Sequence, residues 1–145
     1  MATHEVVNAG SWIQPHPICS AVQHIKKMRG GSQAHLLRAD DGNLYITKFQ
    51  NNPQHIRVLA NEFLATRLAR FFGLPVPQVE IIAVPEWLIE DSPGLRIELP
   101  SRPIPCASGL QLGIRYAADL WQDRIFDSLG ETKFENVINK QDFPR

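Results

Sequence analysis

Residues 30–49 read GGSQAHLLRADDGNLYITKF, and this stretch decides the fold. Gly30-Gly31-Ser32-Gln33 is a glycine loop between two β-prone segments. Ala34 to Arg38 reads as a short strand, with Leu36 and Leu37 as its apolar content. Ala39-Asp40-Asp41-Gly42-Asn43 reads as a turn, because Asp-Gly between alternating residues is a strong hairpin signal. Leu44 to Phe49 then alternates, with Leu44, Ile46 and Lys48 on one face and Tyr45, Thr47 and Phe49 on the other. On the N-terminal side, Val22, His24, Ile25 and Met28 make Ala21 to Met28 compatible with a strand. Two hairpins in a row predict an antiparallel sheet whose returning strand carries one lysine, Lys48.

After this hairpin pair the period changes. Asn52-Pro53 predicts a helix start, with asparagine as cap and proline at the first helical position. Apolar residues recur at Ile56, Leu59, Ala60, Phe63, Leu64, Leu68, Phe71 and Phe72, which is helical spacing. Gly73 ends the helix, and Pro75 and Pro77 prevent its continuation, so the helix is expected over Pro53 to Phe72. Val79 to Val84 is a strand, Trp87 to Glu90 is expected to continue it after Pro85, and Leu95 to Leu99 is expected to be another. Pro100, Pro103 and Pro105 punctuate a loop. Tyr116 to Leu129 and Glu131 to Phe143 are expected to be short helices, and Met1 to Ser20, with Pro15 and Pro17, an extended lead-in. The class is α+β: an antiparallel sheet with one major packed helix.

Composition narrows the function. The chain has 145 residues, enough for one domain with a real core. Its 43% hydrophobic and 21% charged content is that of a soluble globular protein. Fifteen basic residues balance fifteen acidic ones, so the electrostatic footprint of a nucleic-acid binder is missing. No apolar run approaches the ~20 residues that span a bilayer, and no basic-then-apolar leader opens the chain. Cys19 and Cys106 stand alone and read as free thiols of a reducing compartment, with one structural disulfide as the alternative; free thiols predict a cytoplasmic address. The histidines match no HExxH pattern and no CxxC is present, so no metal site is expected. His24 and His35 could face each other across the first hairpin, but are read as ordinary surface histidines.

Three features carry chemistry. A strand lysine can neutralise phosphate oxygens as a point charge; alone, it is more often a solvated surface residue. Glu62 has Val58, Leu59, Ala65 and Thr66 as its helical neighbours, so no local cation explains it. If buried it needs a partner from elsewhere, and Lys48 is the natural one. Gly30 and Gly31 permit close backbone approach to a ligand, and their amides could cradle phosphate oxygens. The same pair also makes an ordinary turn. Ser32 and Gln33 add side-chain donors at the tip.

In combination, the run from Gly30 to Pro77 resembles the HipA-like kinase family: the GGSQ loop, the DGNLYITKF strand, the NNPQHIRVLANE helix start and the GLPVP exit. The later PEWLIE and GLQLGIRY stretches are similar to it too. The resemblance implies a protein-kinase-like small lobe over residues 21–100, an N-terminal extension over 1–20, and a hinge with the first helices of a second lobe over 101–145. It implies ATP as the ligand, with magnesium in the full-length enzyme. Gly30, Gly31, Ser32 and Gln33 would cover the phosphates, Lys48 would contact the α- and β-phosphates, and Glu62 would orient Lys48. The segment around Leu110 to Tyr116 would lie at or near the hinge that receives adenine. One departure stands out: His35 occupies a position where many such proteins place lysine. The full-length enzyme would transfer the γ-phosphoryl group to a protein or other hydroxyl. No H-x-D-x-x-x-x-N or D-F-G pattern follows Glu62, so this chain is expected to be a truncated lobe, inactive alone. Its expected partners are a nucleotide and a protein substrate or partner chain, with no nucleic acid and no membrane. The alternative reading is a non-catalytic protein-interaction module with the same fold.

Overall fold

A computed structural model describes residues 19–118 and residue 135. The two helices expected beyond Tyr116, and nearly all of the N-terminal lead-in, lie outside the described residues. The elements are β1 (Ala21–Lys27), β2 (His35–Ala39), β3 (Leu44–Lys48), α1 (Ile56–Phe71), β4 (Val79–Val84), α2 (Glu86–Asp91), β5 (Arg96–Ile97), β6 (Ile104–Pro105) and β7 (Gly109–Arg115). Five strands form one sheet in the order β1-β2-β3-β7-β4, and every pair in it is antiparallel. The sheet curls, so that Ser20, just ahead of β1, bridges to Ala83 of β4. β5 and β6 form a separate two-stranded ribbon.

The second hairpin closes as its sequence dictates. Asp41 accepts from the Asn43 backbone N–H at 2.9 Å and from the Tyr45 hydroxyl at 2.7 Å. The Gly42 N–H donates to the Ala39 carbonyl at 3.0 Å. The acidic side chain thus replaces a backbone partner inside the turn.

The main helix starts later than Asn52-Pro53 suggests. Buried Asn52 holds the connection from β3 instead: its Nδ2 donates to the Phe49 carbonyl at 2.9 Å, and its Oδ1 accepts from the Gln54 N–H at 2.8 Å. That asparagine-centred turn uses the residue before the helix can use it as a cap. His55 caps instead, accepting from the Arg57 N–H at 3.2 Å. At the other end Gly73 takes φ 74. Its N–H donates to the Arg70 carbonyl, and the Leu74 N–H donates to the Ala69 carbonyl, which closes the helix in a Schellman motif.

Two further expectations are corrected. Glu86 to Asp91 is helix α2, not a continuation of β4. A short apolar run such as Trp87-Leu88-Ile89 fits either structure locally; here one turn buries Leu88 and leaves Trp87 outside. The strand expected over Leu95 to Leu99 shrinks to Arg96–Ile97. The sheet also runs past residue 100, because β7 lies in its interior between β3 and β4. Leu110 to Arg115 is therefore part of this strand, and Tyr116 follows it.

The sheet has two differently covered faces. Leu37, Phe49 and Val84 pack against Leu88 of α2 and against Leu95, Ile97 and Cys106 of the ribbon region. This is the main core. On the other face, Leu59 and Phe63 of α1 pack on Val79, Leu112 and Ile114. α1 buries only Leu59 fully, and its outward residues Leu64, Leu68, Phe71 and Phe72 are exposed.

Candidate functional site

Lys48 is the last residue of β3 and pairs with Leu112 of β7. Because directly paired residues share a face, Lys48 lies on the face that α1 covers. Glu62 sits on α1 between Leu59 and Phe63, the two residues that seat the helix. The Lys48 Nζ donates to both Glu62 oxygens, at 2.8 and 2.7 Å. The side chains are 19% and 26% exposed, so the pair is sheltered but still reached by solvent. The expected approach of strand lysine and helix glutamate is what the structure has.

The glycine loop lies at the same end of the sheet. β2 pairs with β3 through His35 and Thr47, which sets Lys48 one step beyond, beside the loop's exit. The Met28 N–H donates to the Ala34 carbonyl at 2.8 Å, and the Gln33 N–H to the Gly30 carbonyl at 3.1 Å. Gly30 has φ 126, which only glycine adopts cheaply. Among the described residues, the Gly31 and Ser32 N–H groups make no hydrogen bond. Two adjacent donors without partners thus lie at the end of the sheet where β3 places Lys48.

Gln33 differs from the expectation of a free donor at the tip. Its Nε2 donates to the Glu98 carbonyl at 2.8 Å, and its Oε1 accepts from the Glu98 N–H at 2.6 Å. The Lys27 Nζ reaches the same oxygen at 3.1 Å. These partners lie on the ribbon side of the sheet, opposite Lys48.

His35 is fully buried and is not a surface histidine. His24 Nε2 lies 3.1 Å from His35 Nδ1, and His35 Nε2 lies 3.3 Å from the Arg96 carbonyl oxygen. A carbonyl only accepts, so His35 Nε2 carries the proton and Nδ1 accepts from His24. Burial, with His24 alongside, pushes the His35 pKa down to about 4, and burial lowers that of His24. At neutral pH position 35 therefore holds an uncharged ring. Burial also pushes the Cys106 thiol up to about 12, which leaves it unreactive.

The facing of His24 and His35 follows from the first hairpin and is legible in the sequence; the burial of His35 and the Gln33–Glu98 contact are not. Both depend on the ribbon over 95–105, whose placement no local pattern reveals. Among the described residues no cluster of three metal-ligating side chains occurs.

A curled five-stranded antiparallel sheet with one main helix, whose glutamate grips a strand lysine beside a glycine loop, is a kinase-like small lobe. A family model described as HipA-like kinase matches residues 21–108. That is more than half of the 145 residues, and the chain belongs to the HipA-like kinase family. Comparison with curated proteins and with solved structures gives no match.

Proposed function

We propose that this chain is the ATP-binding lobe of a HipA-like kinase. Lys48 gives a fixed positive charge for the α- and β-phosphates, and Glu62 holds it in place. The Gly31 and Ser32 amides receive phosphate oxygens from above. The bidentate Lys48–Glu62 contact beside the glycine loop is the observation that carries this reading. An ammonium held between two carboxylate oxygens loses little further freedom when a phosphate arrives. Magnesium would accompany ATP, but its ligands must come from elsewhere, since Glu62 is already engaged by Lys48. With a catalytic aspartate and metal-binding residues present, such an enzyme transfers the γ-phosphoryl group to a protein or other hydroxyl. The two thiols and balanced charge fit a cytoplasmic setting. Among the described residues no helix is long and apolar enough to cross a membrane.

Titration of isotope-labelled chain with MgATP, followed by amide NMR, tests the binding. Shifts at Gly31, Ser32 and Lys48 that saturate, and that Lys48→Ala removes, are the expected result. A radiolabelled-ATP assay on the same sample is expected to show no transfer. Shifts scattered over the surface, or unchanged by Lys48→Ala, would refute the phosphate site.

One observation favours the alternative of a protein-interaction module. α1 exposes Leu64, Leu68, Phe71 and Phe72, and an apolar groove of about 320 Å3 opens between its first turns and Ile81, Leu110 and Leu112. Apolar surface of this kind commonly marks a protein contact. The two readings are compatible, because that surface does not include the glycine loop.

A further inference from the structure

Gln33 has a backbone conformation that a glutamine would not choose. Its φ is 47, in the left-handed region where glycine is the inexpensive residue. The loop already uses glycine at positions 30 and 31, and glycine at 33 would adopt this φ without steric strain. A glutamine there has to be explained by its side chain. Two roles are open to that side chain. It could contact the nucleotide, as the resemblance implies, or it could hold the loop.

The contacts decide between them. The Gln33 amide behaves as a strand neighbour to one residue, giving its N–H to the Glu98 carbonyl and receiving the Glu98 N–H in return. Both hydrogen-bonding groups of the amide are thereby used. Lys27 adds a third contact to the same oxygen, and it also donates to the Arg96 carbonyl at 3.3 Å. Glu98 follows Ile97, a fully buried residue of the main core. The anchor point is therefore rigid, while the loop tip is exposed. His35, two residues on, also reaches the ribbon through Arg96. Both side chains thus meet the ribbon, on the face away from Lys48.

We propose that Gln33 is a positioning residue. It tethers the glycine loop to the core through the Glu98 backbone, and so fixes the height of the Gly31 and Ser32 amides relative to Lys48. The ribbon then acts as a strut for the phosphate site although it touches no phosphate. This inference rests on the ATP-binding reading above.

The test is a double-mutant cycle with a substitution on each side of the tether. Gln33→Ala removes the amide. Glu98→Pro removes the N–H that Gln33 accepts from, leaves the loop sequence intact, and suits an extended Ile97 before it. Affinities for MgATP and for adenosine are measured on both variants, the double variant and Lys48→Ala. Each single change should weaken MgATP about five- to tenfold, the scale of lost hydrogen bonds that hold a site in place. The double variant should be no worse than either single one. Adenosine affinity should not change, whereas a merely destabilised fold would weaken both ligands. If Glu98→Pro leaves MgATP binding intact while Gln33→Ala weakens it, Gln33 is a direct nucleotide ligand and the tether is refuted. If Lys48→Ala also fails to change MgATP binding, it is the ATP-site reading that falls. The tether is then judged without nucleotide: amide exchange at residues 30–34 should accelerate in both variants, and unchanged exchange overturns it.

Discussion

Acid should unfold this lobe through the His24–His35 pair, and the size of the effect follows from the structure. His35 is fully buried, and burial, with His24 beside it, lowers its pKa from 6.5 to about 4. In the unfolded chain the ring regains its ordinary value, so the unfolded state binds a proton that the folded state refuses. A depressed histidine therefore contributes stability above pH 6.5 that is lost as pH falls toward about 4. Linkage gives a loss of about 2 kcal/mol by about pH 5 and about 3 kcal/mol by about pH 4. His24, also lowered by burial, acts in the same direction. The nearby charge of Lys27 further disfavours a proton on His35, while the Arg96 carbonyl favours one. Urea unfolding at steps across this range measures the loss, and His35→Gln provides the reference. Glutamine can still donate to the Arg96 carbonyl but cannot titrate, so carboxylate effects common to both proteins cancel in the difference. The expected result is a wild-type stability that falls with acid more steeply than that of the variant. Parallel curves for the two proteins would show that His35 is not held neutral by burial.

Three shorter predictions follow from the same geometry. Glu62→Gln keeps a hydrogen bond to Lys48 but loses the charge, so MgATP affinity should fall less than in Lys48→Ala; the NMR titration ranks them. Phe49→Ala empties the centre of the main core, where the ring is fully buried, and should cost about 3–5 kcal/mol in urea unfolding. Leu68→Asp with Phe71→Asp places charge on the exposed face of α1, where Phe71 is 73% exposed. The unmodified chain should self-associate through this face in sedimentation and the double variant should not, with little change in unfolding.

The elements legible in the sequence were those whose stabilising partners lie close along the chain. The Asp41-Gly42 turn, the alternation over Leu44 to Phe49 and the long apolar period of α1 each carry their own signal. Lys48 and Glu62 are distant in structure-forming terms, yet each was conspicuous: a lone charge on an alternating strand, and an acid with no local partner. What stayed hidden depends on the ribbon. Nothing in Leu95 to Pro105 announces that it folds over Phe49 and His35, so His35 reads as exposed and Gln33 as free. The start of α1 was misplaced for a related reason. Asn52-Pro53 looks like a cap, but buried Asn52 hydrogen-bonds back to Phe49, a tertiary requirement that overrides local preference. β7 was obscured because Gly109 to Arg115 holds Gln111 and Gly113, whose polar or small character hides an interior strand. Gln111 is buried with its amide bonded to the Gln50 N–H and to the Ala107 and Ser108 carbonyls.

The Lys48–Glu62 pair is better understood as positioning than as stabilisation. Neither group is deeply buried, and an ion pair that solvent reaches contributes ~0–1 kcal/mol. Leu59 and Phe63 already seat α1 on the sheet without it. Hydrophobic residues at both positions would pack at least as well, by the general behaviour of sheltered pairs replaced together. The bidentate geometry matters in another way. It holds a positive charge at the strand's end, the end of the sheet where the glycine loop leaves two amides unspent, while Gln33 ties that loop to the opposite face. Lysine, amides and tether come from three separate segments, and each is held by a different part of the fold. A site built this way keeps its geometry in the absence of ligand, and binding energy need not be used to assemble it.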